Sequence, residues 1–278
     1  MRSRRSPLRL LFGLVVLCWS LVPIYWALNV SLTTPAALES PTANFLPNPF
    51  TLSQYTQLLR PGSATSTAFY LAFRNSVIEA GAAMLITVVI ALFGGYAFAR
   101  WRFVGSRILF LTVVATLSLP LLAVLIPLYR WSADLGVLDT FLPLILLGVS
   151  ASLPLGVWIM RSFVAALPLD IEAAARLDGA SEVTILRRIV FPLLRPAIAA
   201  VGIIVFLTTW SAFLVPVLFS QTSRSQPLTV FVPNLVAKTA QNIGLQAAAA
   251  CLAMLAPIVV VVLLHRYLVS GLLRGARK

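Results

Sequence analysis

The sequence is 278 residues long, 60% hydrophobic and only 10% charged, with a mean hydropathy of +0.96. Soluble domains carry about a quarter of charged residues, so a soluble globular protein is excluded and an integral membrane protein is expected. The formal charge of +13 does not indicate a nucleic-acid binder, because the basic residues are scattered at the ends of apolar runs, where anionic headgroups account for them.

Six uncharged runs, residues 10–30, 80–99, 108–129, 140–160, 196–220 and 242–264, are each long enough to cross about 30 Å of hydrocarbon as a helix. The expected fold is an all-α membrane protein with six transmembrane helices, a single domain over residues 1–278. The first run follows basic residues, as a signal peptide would. It is too long for a typical secretory core and no small-x-small site closes it, so it is read as a retained span. Residues 33–73, with Pro35, Pro41, Pro47, Pro49 and Pro61, read as an outer loop that acts as a lid or docking surface. Glu79 stands just outside the second run and is placed near the outer interface. The runs themselves hold no charge, which argues against an ion-coupled carrier.

Within the runs, Pro23, Pro120, Pro127, Pro143, Pro154, Pro216 and Pro257 permit bends. Cys18 and Cys251 lie far apart with no CxxC and no neighbouring His, and read as packing residues. His265 reads as an interfacial anchor. The segment 221–241 reads as an outer loop that dips towards the membrane or meets a delivery protein.

Sixteen of the 21 Lys and Arg residues fall before the first run, between the second and third, between the fourth and fifth, or after the sixth. The positive-inside rule then places both termini in the cytoplasm of a multi-pass cell-membrane (inner-membrane) protein. The sequence has no GxxxxGK[ST] phosphate loop, no HExxH and no nucleophile–base grouping. It is therefore not expected to be an enzyme or to bind a cofactor itself, and an energy source has to come from a partner.

The interval 168–196 departs from the rest. It holds Asp170, Glu172, Asp178 and Glu182, half of the eight acidic residues of the chain, with Arg176, Arg187, Arg188 and Arg195 among them. Anionic headgroups repel such a segment, so an interfacial helix is disfavoured and a protein surface is needed to receive it. Asp170 is a plausible N-cap for a short helix over 171–178, ended by Gly179, and Ser181 opens a second helix that runs to Pro192. Two turns of helix are marginal alone in water.

At these residues the chain resembles the transmembrane permease subunits of binding-protein-dependent ABC importers, whose loop reads EAA-x3-G-x9-I-x-LP. Gly179, Ile189 and Pro192 match, as does the sequence Asp178-Gly179-Ala180. The glutamate position falls on Ala173, with the acid one residue earlier at Glu172, and Phe191 replaces a leucine. The resemblance implies a coupling loop over about 168–192 that docks on an ATP-binding subunit. Glu172, Ala173, Ala174, Ala175, Asp178, Gly179 and Ala180 would carry the coupling. The pieces Pro47-Asn48-Pro49-Phe50, Arg74-Asn75-Ser76, Gly95-Tyr96-Ala97-Phe98-Ala99-Arg100, Gln226-Pro227-Leu228-Thr229 and Ser270-Gly271-Leu272 are similar to the carbohydrate-type branch, the shorter permease of a heterodimeric pair. The implied partners are a second permease, two ATP-binding subunits that carry ATP and Mg, and an extracytoplasmic solute-binding protein.

The implied cargo is an oligosaccharide, disaccharide or polyol. Thr209, Trp210, Ser211 and Phe213 in the fifth run are the candidates for lining its path, since sugars pack on aromatic faces and bond to hydroxyls. Two alternatives remain: the same machine importing glycerol phosphate or another polar nutrient, and an ATP-independent channel or secondary carrier.

Overall fold

The computed structural model describes residues 7–40, 44–238 and 242–275. Arg2, Arg4, Arg5, Arg277 and Lys278, which carry part of the topology argument, lie outside the described residues. Among the described residues the chain is helical, without a strand beyond one isolated bridge between Thr33 and Phe50.

The helices in chain order are α1 (Pro7–Ser31), α2 (Pro35–Leu38), α3 (Ser53–Leu59), α4 (Ala64–Arg100), α5 (Ser106–Ala115), α6 (Leu121–Asp134) and α7 (Phe141–Ala165). There follow α8 (Leu169–Leu177), α9 (Glu182–Ile185), α10 (Phe191–Leu193), α11 (Arg195–Trp210), α12 (Leu214–Phe219), α13 (Leu228–Lys238) and α14 (Ile243–Gly275). Four stretches, Leu11–Ser31, Ala64–Arg100, Phe141–Ala165 and Ile243–Tyr267, are each long and apolar enough to cross a membrane, and two bent pairs raise the number of candidate spans to as many as six.

The bends fall where the sequence removes backbone donors. The third apolar run is not one straight helix. Ser106–Ser118 and Leu121–Asp134 meet at 94°, because Pro120 cannot donate a helical hydrogen bond and pushes Leu119 into an extended conformation at φ −70°, ψ 127°. The fifth run is also broken. α11 stops at Trp210 and α12 begins only at Leu214. Ahead of it, Leu186–Val190 form a π-helical turn, since the Pro192 ring clashes with the carbonyl four residues earlier and the wider turn relieves it. The second run is longer than the sequence suggests. Its helix, α4, starts sixteen residues upstream of residue 80 and has 37 residues, or about 55 Å, so part of the expected outer loop is helix.

By contacts the described residues fall into two units. One comprises Met1–Tyr70 and Val230–Leu255. There Gln54, 1% exposed, donates to the Thr33 carbonyl at 2.7 Å, Ser31 and Tyr55 hydroxyls meet at 2.7 Å, and the Phe69 and Phe231 rings lie 6.1 Å apart. The stretch after α1 is thus tied down by its polar side chains, and its Leu58 is fully buried.

The second unit comprises Leu71–Thr229 and Ala256–Lys278. Its core joins α4, α7 and α11 through Ala83, Ala91, Val149, Val157, Met160, Val201 and Val205. Small residues set the approach: a Cβ on Gly156 would lie 3.2 Å from Ala91 Cβ and from Val201 Cγ1, and one on Gly95 only 2.5 Å from Met160 Cβ. Without water to drive apolar groups together, such close backbone packing is what holds membrane helices.

A latch unmarked in the sequence closes one end of this unit. Asp139, at φ +58°, accepts from the backbone N–H groups of Gln221 at 3.1 Å and Thr222 at 3.0 Å and from the Ser225 hydroxyl at 2.8 Å. Partial burial works to raise the Asp139 pKa, but these bonds outweigh it and hold the carboxyl below its ordinary value. A depressed folded pKa gives stability that is present above about pH 4 and lost as the pH falls through the folded value. Asp139→Asn, which tolerates the same backbone, is expected to lower unfolding stability in detergent by about 1–2 kcal/mol at neutral pH. The gap to the wild-type protein should close on acidification. A gap independent of pH would show that the charge is not what the loop uses.

Candidate functional site

The charged insert is built on a tight helix end. α8 begins two residues before residue 171, with Pro168 rather than Asp170 at its N-cap, so Asp170 and Glu172 sit in its first turn and face the positive end of the helix dipole. Gly179 takes φ +81°, the left-handed conformation that glycine adopts without strain. The Gly179 N–H then bonds to the Arg176 carbonyl and the Ala180 N–H to the Ala175 carbonyl, each at 3.0 Å, which caps the helix and reverses the chain. Ser181 caps α9 by accepting from the Thr184 N–H at 3.4 Å.

Seven insert residues were expected to act at the partner surface, and they divide. Glu172 and Ala175 turn inward, 3% and 8% exposed, whereas Ala173, Ala174, Asp178 and Gly179 are exposed and Ala180 is half-buried. The Glu172 carboxylate belongs to the interior of the chain. It accepts from Arg100 Nε at 2.8 Å and from the Tyr96 hydroxyl at 2.9 Å, both on α4. Arg100 also donates to the Leu167 carbonyl just beyond α7 at 3.0 Å. The insert is therefore clamped to the ends of two long helices. On its outer side Arg176 grips Glu182 with two bonds of 2.6 and 3.0 Å. That contact raises the arginine pKa and lowers the carboxyl one. Leu177 and Val183, 90% and 71% exposed, form an apolar tip that the sequence patterning did not single out.

A cavity of about 540 Å³ opens among α4, the turn that follows α5, α6, α7, α11 and α12. Its polar lining comes from Glu79, Thr116, Ser150, Ser152, Thr208 and Thr209, and its apolar walls include Leu117, Leu121, Leu144 and Val215. Of the four residues expected to line a path, Thr209 lines this cavity. Trp210 is 9% exposed and packs instead between Phe206, stacked at 5.4 Å, and Phe73, edge-on at 6.0 Å. Ser211 and Phe213 are exposed and outside the lining. The placement of Glu79 at an interface is also corrected. It lies well inside α4, is 3% exposed and faces the cavity. Apolar-run boundaries missed it because the single charge cut short a helix that continues through it.

A multi-pass helical protein with a polar-lined cavity and a clamped, water-facing insert has the make-up of a transport permease. Residues 88–274 match the family of binding-protein-dependent transport system inner membrane components, and the chain belongs to this family. It is 38% identical, over 82% of its length and 76% of the relative, to the osmoprotective compounds uptake permease protein GgtD of Synechocystis sp.. It is 28% identical to the melibiose/raffinose/stachyose import permease protein MelC of Bacillus subtilis, over 100% and 98% of the two chains. Its fold matches a chain of a bacterial ABC transporter that imports the acidic polysaccharide alginate, with a TM-score of 0.77 and 22% identity over 96% and 99% of the two chains. The family is one of transport permeases rather than catalytic subunits.

Proposed function

We propose that this chain is the permease subunit of an ATP-driven importer of a carbohydrate or polyol, folded as one membrane domain of six spans with both termini in the cytoplasm. A second permease completes the path, two ATP-binding subunits carry ATP and Mg, and a solute-binding protein delivers the cargo outside. The insert at about 168–192 docks on an ATP-binding subunit, with Ala173, Ala174, Asp178 and Gly179 and the apolar tip of Leu177 and Val183 at the contact.

One observation carries this reading: the clamp of Glu172 to Tyr96 and Arg100, with Arg100 also bonded at Leu167. A push on the insert reaches α4 and the end of α7 through charged, buried bonds rather than through a loose loop. Those two helices carry Glu79, Gly148, Ser150 and Ser152 of the cavity. Closure of the ATP-binding subunits would thus bias the cavity between two arrangements, which is what coupling at a distance requires. The cargo class is supported by the saccharide relative and by the hydroxyl-lined cavity.

The test is co-purification. Leu177→Asp combined with Val183→Asp changes only side chains that are mostly exposed, so folding stability should move by no more than about 0.5 kcal/mol. Recovery of the ATP-binding subunit and saccharide uptake into proteoliposomes should both be lost, because a docked apolar tip cannot accept buried charge. Undiminished co-purification and uptake would mean that the tip is not the docking contact, whereas uptake by a wild-type chain that recovers no ATP-binding subunit would favour a carrier that needs no ATPase.

A further inference from the structure

Among the described residues, the Glu79 carboxyl is buried without an evident reason in the packing. It is 3% exposed, it lines the cavity, and among the described residues it makes no hydrogen bond and no ion pair. A polar group buried without a partner destabilises the fold unless something comes to meet it. In the same lining, Thr209 is 6% exposed and its hydroxyl also has no partner.

The other lining hydroxyls have already committed their protons. Ser150 donates to the Leu147 carbonyl at 3.0 Å, Thr116 to Val113 at 2.7 Å and Thr208 to Ile204 at 2.9 Å. Ser152 Oγ lies 3.5 Å from Thr208 Oγ1, whose own proton is engaged, so Ser152 is the donor there. What these groups have left for the cavity is lone pairs. No Lys, Arg or His lines it, and the remaining walls are aliphatic.

We infer that Glu79 is a specificity-determining residue of the translocation path and that the cavity takes an uncharged, hydroxyl-rich solute, a polyol or neutral saccharide. The O–H groups of such a solute exchange hydrogen bonds with the Glu79 carboxyl and donate to the lone pairs of Ser150, Ser152 and Thr208, while its C–H faces lie on the leucine walls. This rests on the permease reading above and deepens it. A phosphate or carboxylate would have to shed its hydration in a site with no Lys, Arg or His to pair it, so anionic cargo is rejected. A compact ammonium would suit an ionised carboxylate, but these groups are spread over three helices around a volume of about 540 Å³, the scale of a small-molecule site.

The assembled importer in proteoliposomes provides the test, with Ser150→Cys in a background lacking Cys18 and Cys251 as a reporter of cavity occupancy. The probes are trehalose and melibiose as neutral saccharides, lactobionate as an anionic one, and glycerol 3-phosphate and putrescine as charged non-saccharides. Trehalose or melibiose should slow alkylation of the cysteine and be taken up, and lactobionate should do neither. Glu79→Val, which removes the polar atoms of this side chain, should raise the KM for the neutral saccharide by about tenfold or more. The isosteric Glu79→Gln, which keeps both an acceptor and a donor, should raise it less. Should the valine variant fail to assemble, lactobionate protection of the wild-type cysteine still decides. An unchanged KM in Glu79→Val, or lactobionate protecting the wild-type cysteine as well as trehalose does, overturns the inference and leaves the ATP-driven permease standing. Uptake of glycerol 3-phosphate or putrescine with none of either neutral saccharide overturns the carbohydrate reading along with it.

Discussion

Glu172→Gln is expected to cost about 3–5 kcal/mol of stability, the usual penalty for stranding a buried ion. Arg100, whose side chain is 8% exposed, would lose its only carboxylate partner among the described residues, and the Tyr96 hydroxyl would lose a charged acceptor. The same change should uncouple the machine, since it frees the insert from α4. ATP hydrolysis by the assembled complex should continue while solute uptake per ATP falls. The paired replacement Glu172→Leu with Arg100→Met removes both charges, so it should be less destabilised than either single change. Measurement of unfolding in detergent for the two singles and the double, with parallel uptake and hydrolysis rates, checks both parts. Additive losses in the double variant would mean that the two side chains do not act as a pair. Coupled uptake retained in Glu172→Gln would mean that the push travels by another route.

Gly95→Ala is expected to be the most damaging single methyl group in the protein. Its Cβ would stand 2.5 Å from Met160 Cβ and 2.8 Å from the Arg161 backbone nitrogen. Backbone cannot swing aside as a side chain can, so α4 and α7 would have to part, at about 3 kcal/mol or more. Gly81 on the same helix is the control, since a Cβ there meets nothing within 4 Å. Gly81→Ala should be neutral or stabilise by up to about 1 kcal/mol through helix propensity. Equal melting temperatures for the two variants would show that α4 and α7 do not approach as closely as Gly95 requires.

Much of this protein is local and therefore readable. The length of an apolar run follows from bilayer thickness, which is why the regions of the membrane helices were found. The turn at Gly179 needs only one glycine after one helix, and its left-handed conformation at φ +81° follows from that residue type. The helix breaks at Pro120 and near Pro192 also have local causes, but hydropathy alone does not register them, because proline does not interrupt an uncharged run.

Tertiary structure decided which faces matter. Lipid and protein interior both accept the same apolar side chains, so hydropathy does not tell that Trp210 packs on Phe206 and Phe73 while its neighbour Thr209 faces a cavity. Glu172 reads as a surface acid in an acidic stretch, yet its partner Arg100 lies 72 residues away and draws it inside. Glu79 reads as the edge of a span for the same reason. A charge marks a boundary in one dimension, whereas in three dimensions the helix runs on through it and the cavity receives its carboxylate. The sequence by itself determined a membrane permease with a charged, glycine-ended insert, because each of those features is written within a few turns of chain. Which of its carboxylates clamps the insert and which faces the cavity depended on packing between distant helices, and only the tertiary structure decided it.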